Sequence, residues 1–292
     1  MKSQKSFQHE TATLYLVATP IGNLEDMTVR ALRILKEADV IAAEDTRNTK
    51  KLCNYFDIQT KLVSYHEHNQ ESGGYKILSY MEEGKSVALV SDAGMPCISD
   101  PGEDIVKRVI EAGFPVVPIP GANAALSALI ASGIAPQPFQ FYGFLSRSKK
   151  ERQAELERLS QNRETLVFYE APHRLKECLK SIHKSFGGER RIVLAREVTK
   201  KFEEFLRGTV EQAVEWADAN EARGEFCLVI EGNAAPDPVD ASTWWEQLSI
   251  AEHVAAVMER DGLSSKEAIK QVSIERSLSK REVYQAYHEL DQ

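Results

Sequence analysis

Three short apolar runs each end in a turn rich in glycine or proline, and this repeated unit constrains the fold more than any other feature of the chain. Residues 14–18 (Leu-Tyr-Leu-Val-Ala) lead into Thr19-Pro20-Ile21-Gly22-Asn23-Leu24. Residues 87–90 (Val-Ala-Leu-Val) lead into Ser91-Asp92-Ala93-Gly94-Met95-Pro96, and residues 116–119 (Val-Val-Pro-Ile) into Pro120-Gly121-Ala122-Asn123-Ala124-Ala125. Apolar runs of this length bounded by turn residues read as buried strands. Helical spacing follows the first turn: Val29, Leu32, Leu35 and Ala38 recur every third residue, with Asp26 or Thr28 placed as N-cap. A second helical stretch, residues 105–112, ends at Gly113 in the C-cap position. Strands alternating with helices predict an α/β layer with a mostly parallel sheet. Ligands of such sheets lie outside the carboxyl ends of the strands, so three loops on one edge predict a small-molecule cleft. Each loop taken alone could be only a tight turn whose glycine supplies a positive φ. The run of small residues from 122 to 128 adds room for close approach of a ligand or a helix.

The composition changes around residues 133–138, where Pro136 and Pro138 bracket Gln137, and a domain boundary is placed there. The alternation then restarts with strands at 139–144, 166–169, 191–195 and 226–231. A second linker, 233–240, contains Ala-Ala-Pro-Asp-Pro, and no strand pattern follows it. Instead Ser264 to Glu267 and Ser279 to Glu282 both match the S-x-x-E capping box. They open helices with stripes of Ala268, Ile269, Val272 and of Val283, Tyr287, Leu290, which with residues 250–258 make a three-helix module. The expected organisation is a flexible tail over 1–12, α/β domains over 13–133 and 134–234, and a helical module over 240–292.

The net charge is −8, so any nucleic-acid site must be a local basic patch. The run Arg147-Ser148-Lys149-Lys150-Glu151-Arg152 is one candidate, extended by Arg158, Arg163, Arg174, Lys200 and Lys201; a solvated linker is the plain alternative. In the helical module six basic residues face ten acidic ones, yet five of the six fall between Lys266 and Arg281. No apolar stretch is long enough for a membrane span, and the polar start lacks a signal-peptide core. Cys53, Cys97, Cys178 and Cys227 are far apart with no C-x-x-C, which argues against disulfides and a cysteine zinc site and fits a reducing cytoplasm. His66 and His68 stand two apart, but zinc needs more ligands and H-E-x-x-H is absent, so no metal is expected. Neither G-x-G-x-x-G after the first strand nor the P-loop is present, which disfavours a dehydrogenase or an NTPase.

Five motifs stand in order: residues 18–24 (A-T-P-I-G-N-L), 43–47 (A-E-D-T-R), 91–102 (S-D-A-G-M-P-C-I-S-D-P-G), 168–174 (F-Y-E-A-P-H-R) and 196–200 (R-E-V-T-K). In them the chain closely resembles the bacterial small-subunit ribosomal RNA (cytidine-2′-O)-methyltransferases, a branch of the tetrapyrrole methylase superfamily, from Thr13 to about Asn233. The resemblance implies two consecutive α/β domains with a cofactor cleft between them, followed by a small helical module. It implies methyl transfer from S-adenosylmethionine to the ribose 2′-oxygen of a cytidine in small-subunit ribosomal RNA. The implied cofactor contacts are Pro20, Ala93, Gly94, Met95, Pro96, Ile98, Ser99, Asn123, Ala124, Tyr142, Tyr169 and Glu170. A 2′-hydroxyl is a poor nucleophile at neutral pH, so a base or cation beside it helps. Glu44, Arg47, Glu170 and Arg174 are the leading catalytic candidates, with Asp45, His173, Arg196 and Glu197 behind them; each could equally be a structural ion pair. The partner would be ribosomal RNA, naked or in the assembled small subunit, met by a cytoplasmic homodimer with no role for DNA or a membrane. The chain departs from the wider superfamily, which usually shows G-x-G-x-G-D at the first loop and G-G-D-P at the second. Thr19–Leu24 and Met95 replace those patterns, which disfavours a tetrapyrrole substrate. A non-catalytic nucleotide- or RNA-binding module is the reading from another class, and the charged residues clustered in residues 43–47 and 168–174 speak against it.

Overall fold

A computed structural model describes residues 1, 3–6, 11–234, 245, 248–276 and 278–288. They fall in two compact units, 1–234 and 235–292. The first unit begins with β1 (Leu14–Val17), α1 (Val29–Glu37), β2 (Val40–Ala43), α2 (Thr46–Tyr55), β3 (Lys61–Ser64), α3 (Gln70–Glu82), β4 (Val87–Val90), α4 (Glu103–Glu111), β5 (Val116–Ile119) and α5 (Ala124–Ser132). The five strands form one sheet in the order β3-β2-β4-β1-β5, and every pairing is parallel. Such a sheet needs cover on both faces. Ile41, Ala43, Ala88 and Val90 point to the side packed with Ala31, Ile34 and Leu35 of α1, while Val40, Ala42, Val87 and Leu89 meet Ile77, Met81, Ile105 and Val109. Thr28 caps α1 by accepting the Ala31 N–H at 3.1 Å. Ala112 closes α4, and Gly113 just beyond it takes a left-handed φ of 86°. Of the expected tail, residues 2 and 7–10 lie outside the described residues, and Gln4 pairs with the Val116 backbone in both directions at 2.8 and 3.0 Å.

The second half continues with β6 (Phe139–Phe144), α6 (Lys149–Leu159), β7 (Thr165–Glu170), α7 (Pro172–Phe186), β8 (Arg191–Arg196), β9 (Glu204–Thr209), α8 (Val210–Ala219) and β10 (Phe226–Ile230). Its sheet runs β6-β7-β10-β8-β9, and only β6 and β7 are parallel. A mixed sheet thus stands here, where the first half is wholly parallel and the strand–helix alternation predicts a mostly parallel sheet. The reason is local: residues 197–203 join β8 directly to β9 as a hairpin, and β10 inserts antiparallel between β7 and β8.

One face of this sheet is covered by its own helices, with Leu156, Leu175, Leu179, Ile182 and Val210 in the core. The other face is covered by α5, which the chain makes before it enters the second half. Ala125, Ala128 and Leu129 of α5 pack on Val167, Val193, Ala195, Cys227 and Val229. Arg207 of β9 secures the end of that helix, donating to the carbonyls of Ala131 at 2.7 Å and Ser132 at 3.2 Å. The sheets therefore meet through α5, and residues 1–234 form one unit.

The second unit holds α9 (Ile250–Asp261), α10 (Ser265–Glu275) and α11 (Lys280–His288) around Val254, Val257, Ala268, Ile269, Val272 and Val283. Both expected capping boxes form: Glu267 accepts from the Ser264 N–H at 3.1 Å, and Glu282 from the Ser279 N–H at 2.8 Å. A third, Ser249 with Glu252, starts α9. Leu290 and residues 235–244 of the expected linker and module lie outside the described residues.

Candidate active site

The loops after β1, β4 and β5 converge on a cleft of about 330 Å³ whose far wall comes from the second sheet. The first two loops are stitched together by reciprocal hydrogen bonds between Thr19 and Gly94, at 2.9 and 3.1 Å. Gly94 has a φ of 80°, and a Cβ there would lie 3.3 Å from Ile21 and 3.7 Å from the Ala122 carbonyl. Only glycine lets the three loops close so tightly. Cys97 and Ser99 also hold left-handed φ values, 70° and 60°, which non-glycine residues adopt at a cost. From the opposite side Tyr169 reaches across, its hydroxyl accepting the Ala125 N–H at 3.2 Å. Burial pushes that phenol up to about 12, so it stays neutral.

Six carboxylate residues line the cleft (Glu44, Asp92, Asp100, Glu170, Glu197, Glu225) against one cation, Lys200. Burial pushes Asp100 up to about 6, opposed by a hydrogen bond from Ser91 and assisted by the charges of Glu44 and Asp92. The walls between these groups are apolar: Ile21, Met95, Ile98, Phe144, Val198 and Phe226. A cleft lined by one sign of charge with low-dielectric walls concentrates its field and favours a cationic ligand.

Of the residues carried over as cofactor contacts, Ala93, Gly94, Met95, Ile98, Ser99, Asn123, Ala124, Tyr169 and Glu170 line the cleft. Pro20 and Pro96 sit within the same loops but off the lining, where Ile21 takes the place beside Pro20. Tyr142 is turned away: an irregularity in β6 between Phe141 and Gly143 sends its ring to the far face, 5.7 Å from Phe168. Phe144 occupies the cleft wall in its stead. Among the catalytic candidates, Glu44 and Glu170 line the cleft and Arg47 and Arg174 do not. Arg47 is exposed and holds Asp45 at 2.8 Å, keeping that carboxyl down at about 2. Glu170 is buried; its Oε1 accepts from the Ala171 N–H at 2.9 Å and forms an ion pair with Arg174 at 3.2 Å. Arg174 donates further to the carbonyls of Leu145 and Ser146, so this pair joins the start of α7 to the loop after β6. In the basic run Arg147, Lys149 and Lys150 are exposed, whereas Arg152 is buried against Ser181 and leaves the patch.

The sequence gives no site role to Asp92, Asp100, Phe144, Glu225 or Phe226, all of which line the cleft. Asp100 lies inside the quoted motif, so its signal was present. Glu225 and Phe226 carried none: Glu225 stands just before β10, and the antiparallel β10 sets Phe226 opposite Glu170 and Arg196, at the edge where its neighbours end.

Two α/β sheets, bridged by a helix and sharing one acidic, glycine-lined cleft at their loop edges, define the class. The family model of tetrapyrrole (corrin/porphyrin) methylases matches residues 13–214, and the chain belongs to that family. It is 56% identical over 290 residues to a Bacillus subtilis (strain 168) protein named ribosomal RNA small subunit methyltransferase I, with 99% of each chain covered. A Synechocystis relative of the same name is 45% identical over 278 residues, covering 95% of this chain and 98% of its own. Among solved structures, cobalt precorrin-4 methyltransferase aligns with a TM-score of 0.58 at 19% identity, covering 75% of this chain and 94% of that one. Uroporphyrin-III C-methyltransferase from Thermus thermophilus, complexed with S-adenosyl homocysteine, aligns with a TM-score of 0.56 at 21% identity, covering 75% and 97%. At these identities the two structures share the fold.

Proposed function

We propose that the protein transfers a methyl group from S-adenosylmethionine to the ribose 2′-oxygen of a cytidine in small-subunit ribosomal RNA. The full-length likeness to the Bacillus subtilis ribosomal RNA small subunit methyltransferase I is the observation that carries this reading. The residues present fit the cofactor. Gly94 leaves bare backbone where a side chain would crowd the loops, and six carboxylate residues suit a cation. When bound, S-adenosylmethionine supplies a methyl group on a positively charged sulfur.

The chain's own residues then have three tasks. Ala93, Gly94, Met95, Asn123, Ala124 and Tyr169 bind and orient the donor, since alignment for in-line displacement supplies much of the rate. A cleft carboxylate, Glu44 or Asp100, takes the proton of the 2′-hydroxyl; a group titrating at about 6 is well matched to that work near neutral pH. The same acidity repels phosphate, so the RNA backbone is held outside the cleft by exposed Arg147, Lys149, Lys150 and Lys201. Glu170 and Arg174 keep the second wall in shape. In this reading the protein works as a cytoplasmic homodimer, on naked RNA or on the assembled small subunit. No helix among the described residues is long and apolar enough to cross a membrane.

The test is to incubate the protein with methyl-labelled donor and, separately, small subunits, naked small-subunit RNA and a uroporphyrinogen-type tetrapyrrole. Label in a single cytidine 2′-O-methyl is the expected result. Label in the tetrapyrrole alone, or in a base rather than a ribose, overturns the reading.

A further inference from the structure

Residues 197–203 connect β8 to β9, and two of them hold backbone conformations that only a well-determined surrounding maintains: Glu197 has a φ of 50° and Thr199 of 71°. The loop presents Lys200 to the cleft. Its aliphatic stem lies directly on Gly22, in the first loop of the other half; a Cβ on Gly22 would overlap the Lys200 Cγ. Its ammonium is held by Glu197 Oε1 at 3.0 Å and Glu225 Oε2 at 2.8 Å. Glu197 is fixed in turn, since its Oε1 accepts the Glu225 N–H at 2.9 Å and its own N–H donates to the Glu225 carbonyl at 2.9 Å. Gly224 leaves the space for that side chain, because a Cβ there would overlap the Glu197 Cγ. Two glycines, two carboxylates and one long cation thus build a single connection from β10 to the first loop. Next to Gly22 stands Ile21, which lines the cleft and lies within contact reach of Gly94.

We propose that Lys200 is a positioning residue, a clasp that holds the first loop against the second half and thereby sets Ile21 and Gly94 for the methyl donor. The proposal rests on the reading of the cleft as the S-adenosylmethionine site. With both carboxylates on its ammonium, Lys200 is committed to the protein and is not a free phosphate contact. Its effect on the donor passes through the loop it pins.

The experiment follows hydrogen exchange of the residue 21–24 amides in the free protein, and calorimetric titration with S-adenosylmethionine, in the wild type, Lys200→Ala, Lys200→Met and Lys200→Arg. Amides in an unpinned loop exchange faster. Lys200→Ala should speed exchange in residues 21–24 at least about tenfold and weaken donor binding at least about tenfold, while β7 and β10 exchange as in the wild type. Lys200→Met keeps the stem without the charge, so both effects should persist at a smaller size. Lys200→Arg restores a cation of similar reach but not the compact ammonium, so it should reverse part of both effects, more than Lys200→Met does. Should Lys200→Ala fail to fold, Lys200→Met carries the same two measurements. Faster exchange with unchanged affinity would show a clasp that positions nothing, and weaker affinity with unchanged exchange would show direct contact with the donor; either result overturns the proposal. A wild type that binds no S-adenosylmethionine would overturn the proposed function and with it the positioning role, whereas the exchange measurement would still report on the clasp itself.

Discussion

Asp100 carries a charge in a place that resists it. Burial and the charges of Glu44 and Asp92 lift its carboxyl to about 6 from an ordinary 3.8. Between those values the folded protein keeps a proton that the unfolded chain has released, so stability falls as pH rises through that window. After allowance for solvent at a half-buried site, Asp100→Asn should be more stable than wild type by about 1–2 kcal/mol at pH 7.5. The gap should close below pH 4, and urea unfolding across that range measures it; an equal gap at both ends would remove the titration from the account. Gly94 is the second residue whose chemistry decides the site. Gly94→Val adds a branched side chain at a φ of 80°, against Ile21, and should weaken donor binding about 100-fold with the far-UV circular dichroism unchanged. Calorimetry giving unchanged affinity would move the ligand off this loop. At this scale the sequence was readable wherever backbone shape required a residue type, as at Gly94 and Gly113. It was unreadable where a role depends on which way a side chain turns. Tyr142 and Phe144 are two aromatics in one strand, and only the irregularity at Phe141 and Gly143 decides which one faces the cleft.

Helix α5 is the element on which the site depends most. Its first turn supplies Asn123, capping by accepting the Leu126 N–H at 2.9 Å, and Ala124 to the cleft wall. Its apolar side closes the second sheet. Leu129 is 2% exposed, and Leu129→Ala should cost about 3 kcal/mol in denaturant unfolding. Because that helix ties the halves together, residues 1–234 should still unfold in one transition; two separate transitions would show that each sheet stands alone. The three glycine-turn strands were legible because they are short, apolar and sharply bounded. β2, β3 and β9 were not singled out. β9 (Glu204–Thr209) is a half-exposed edge strand whose burial does not alternate cleanly, so it lacks the periodicity that marks a strand. Nor could a run of small residues such as 122–128 reveal which of two sheets the helix would cover.

The molecule as a whole divides at residue 234, and every residue lining the cleft belongs to the first unit. A chain ending at Ala234 should therefore bind S-adenosylmethionine within about twofold of the full chain. The helical module carries exposed Lys266, Lys270, Lys280, Arg281 and Tyr284 around one groove. Turnover of the shortened chain on small subunits should fall at least about tenfold and lose part of its salt dependence, read in single-turnover assays at two salt concentrations. Full activity with unchanged salt dependence would show that the module takes no part in substrate recognition. The module's existence could be read from its capping boxes, and the linker before it from its prolines. The joining of the two α/β halves could not, because it is made by a helix that belongs to one half in sequence and to the other in packing. That arrangement has a bearing on synthesis. Residues leave the ribosome in order, at about 5–20 per second, so the roughly 100 positions between Ser132 and Ile230 take about 5–20 s to appear. Throughout that interval Ala125, Ala128 and Leu129 have been made but the sheet that buries them has not. The nascent first half therefore carries a bare apolar stripe, and a chain arrested near residue 160 should be the form that a holding chaperone grips most firmly.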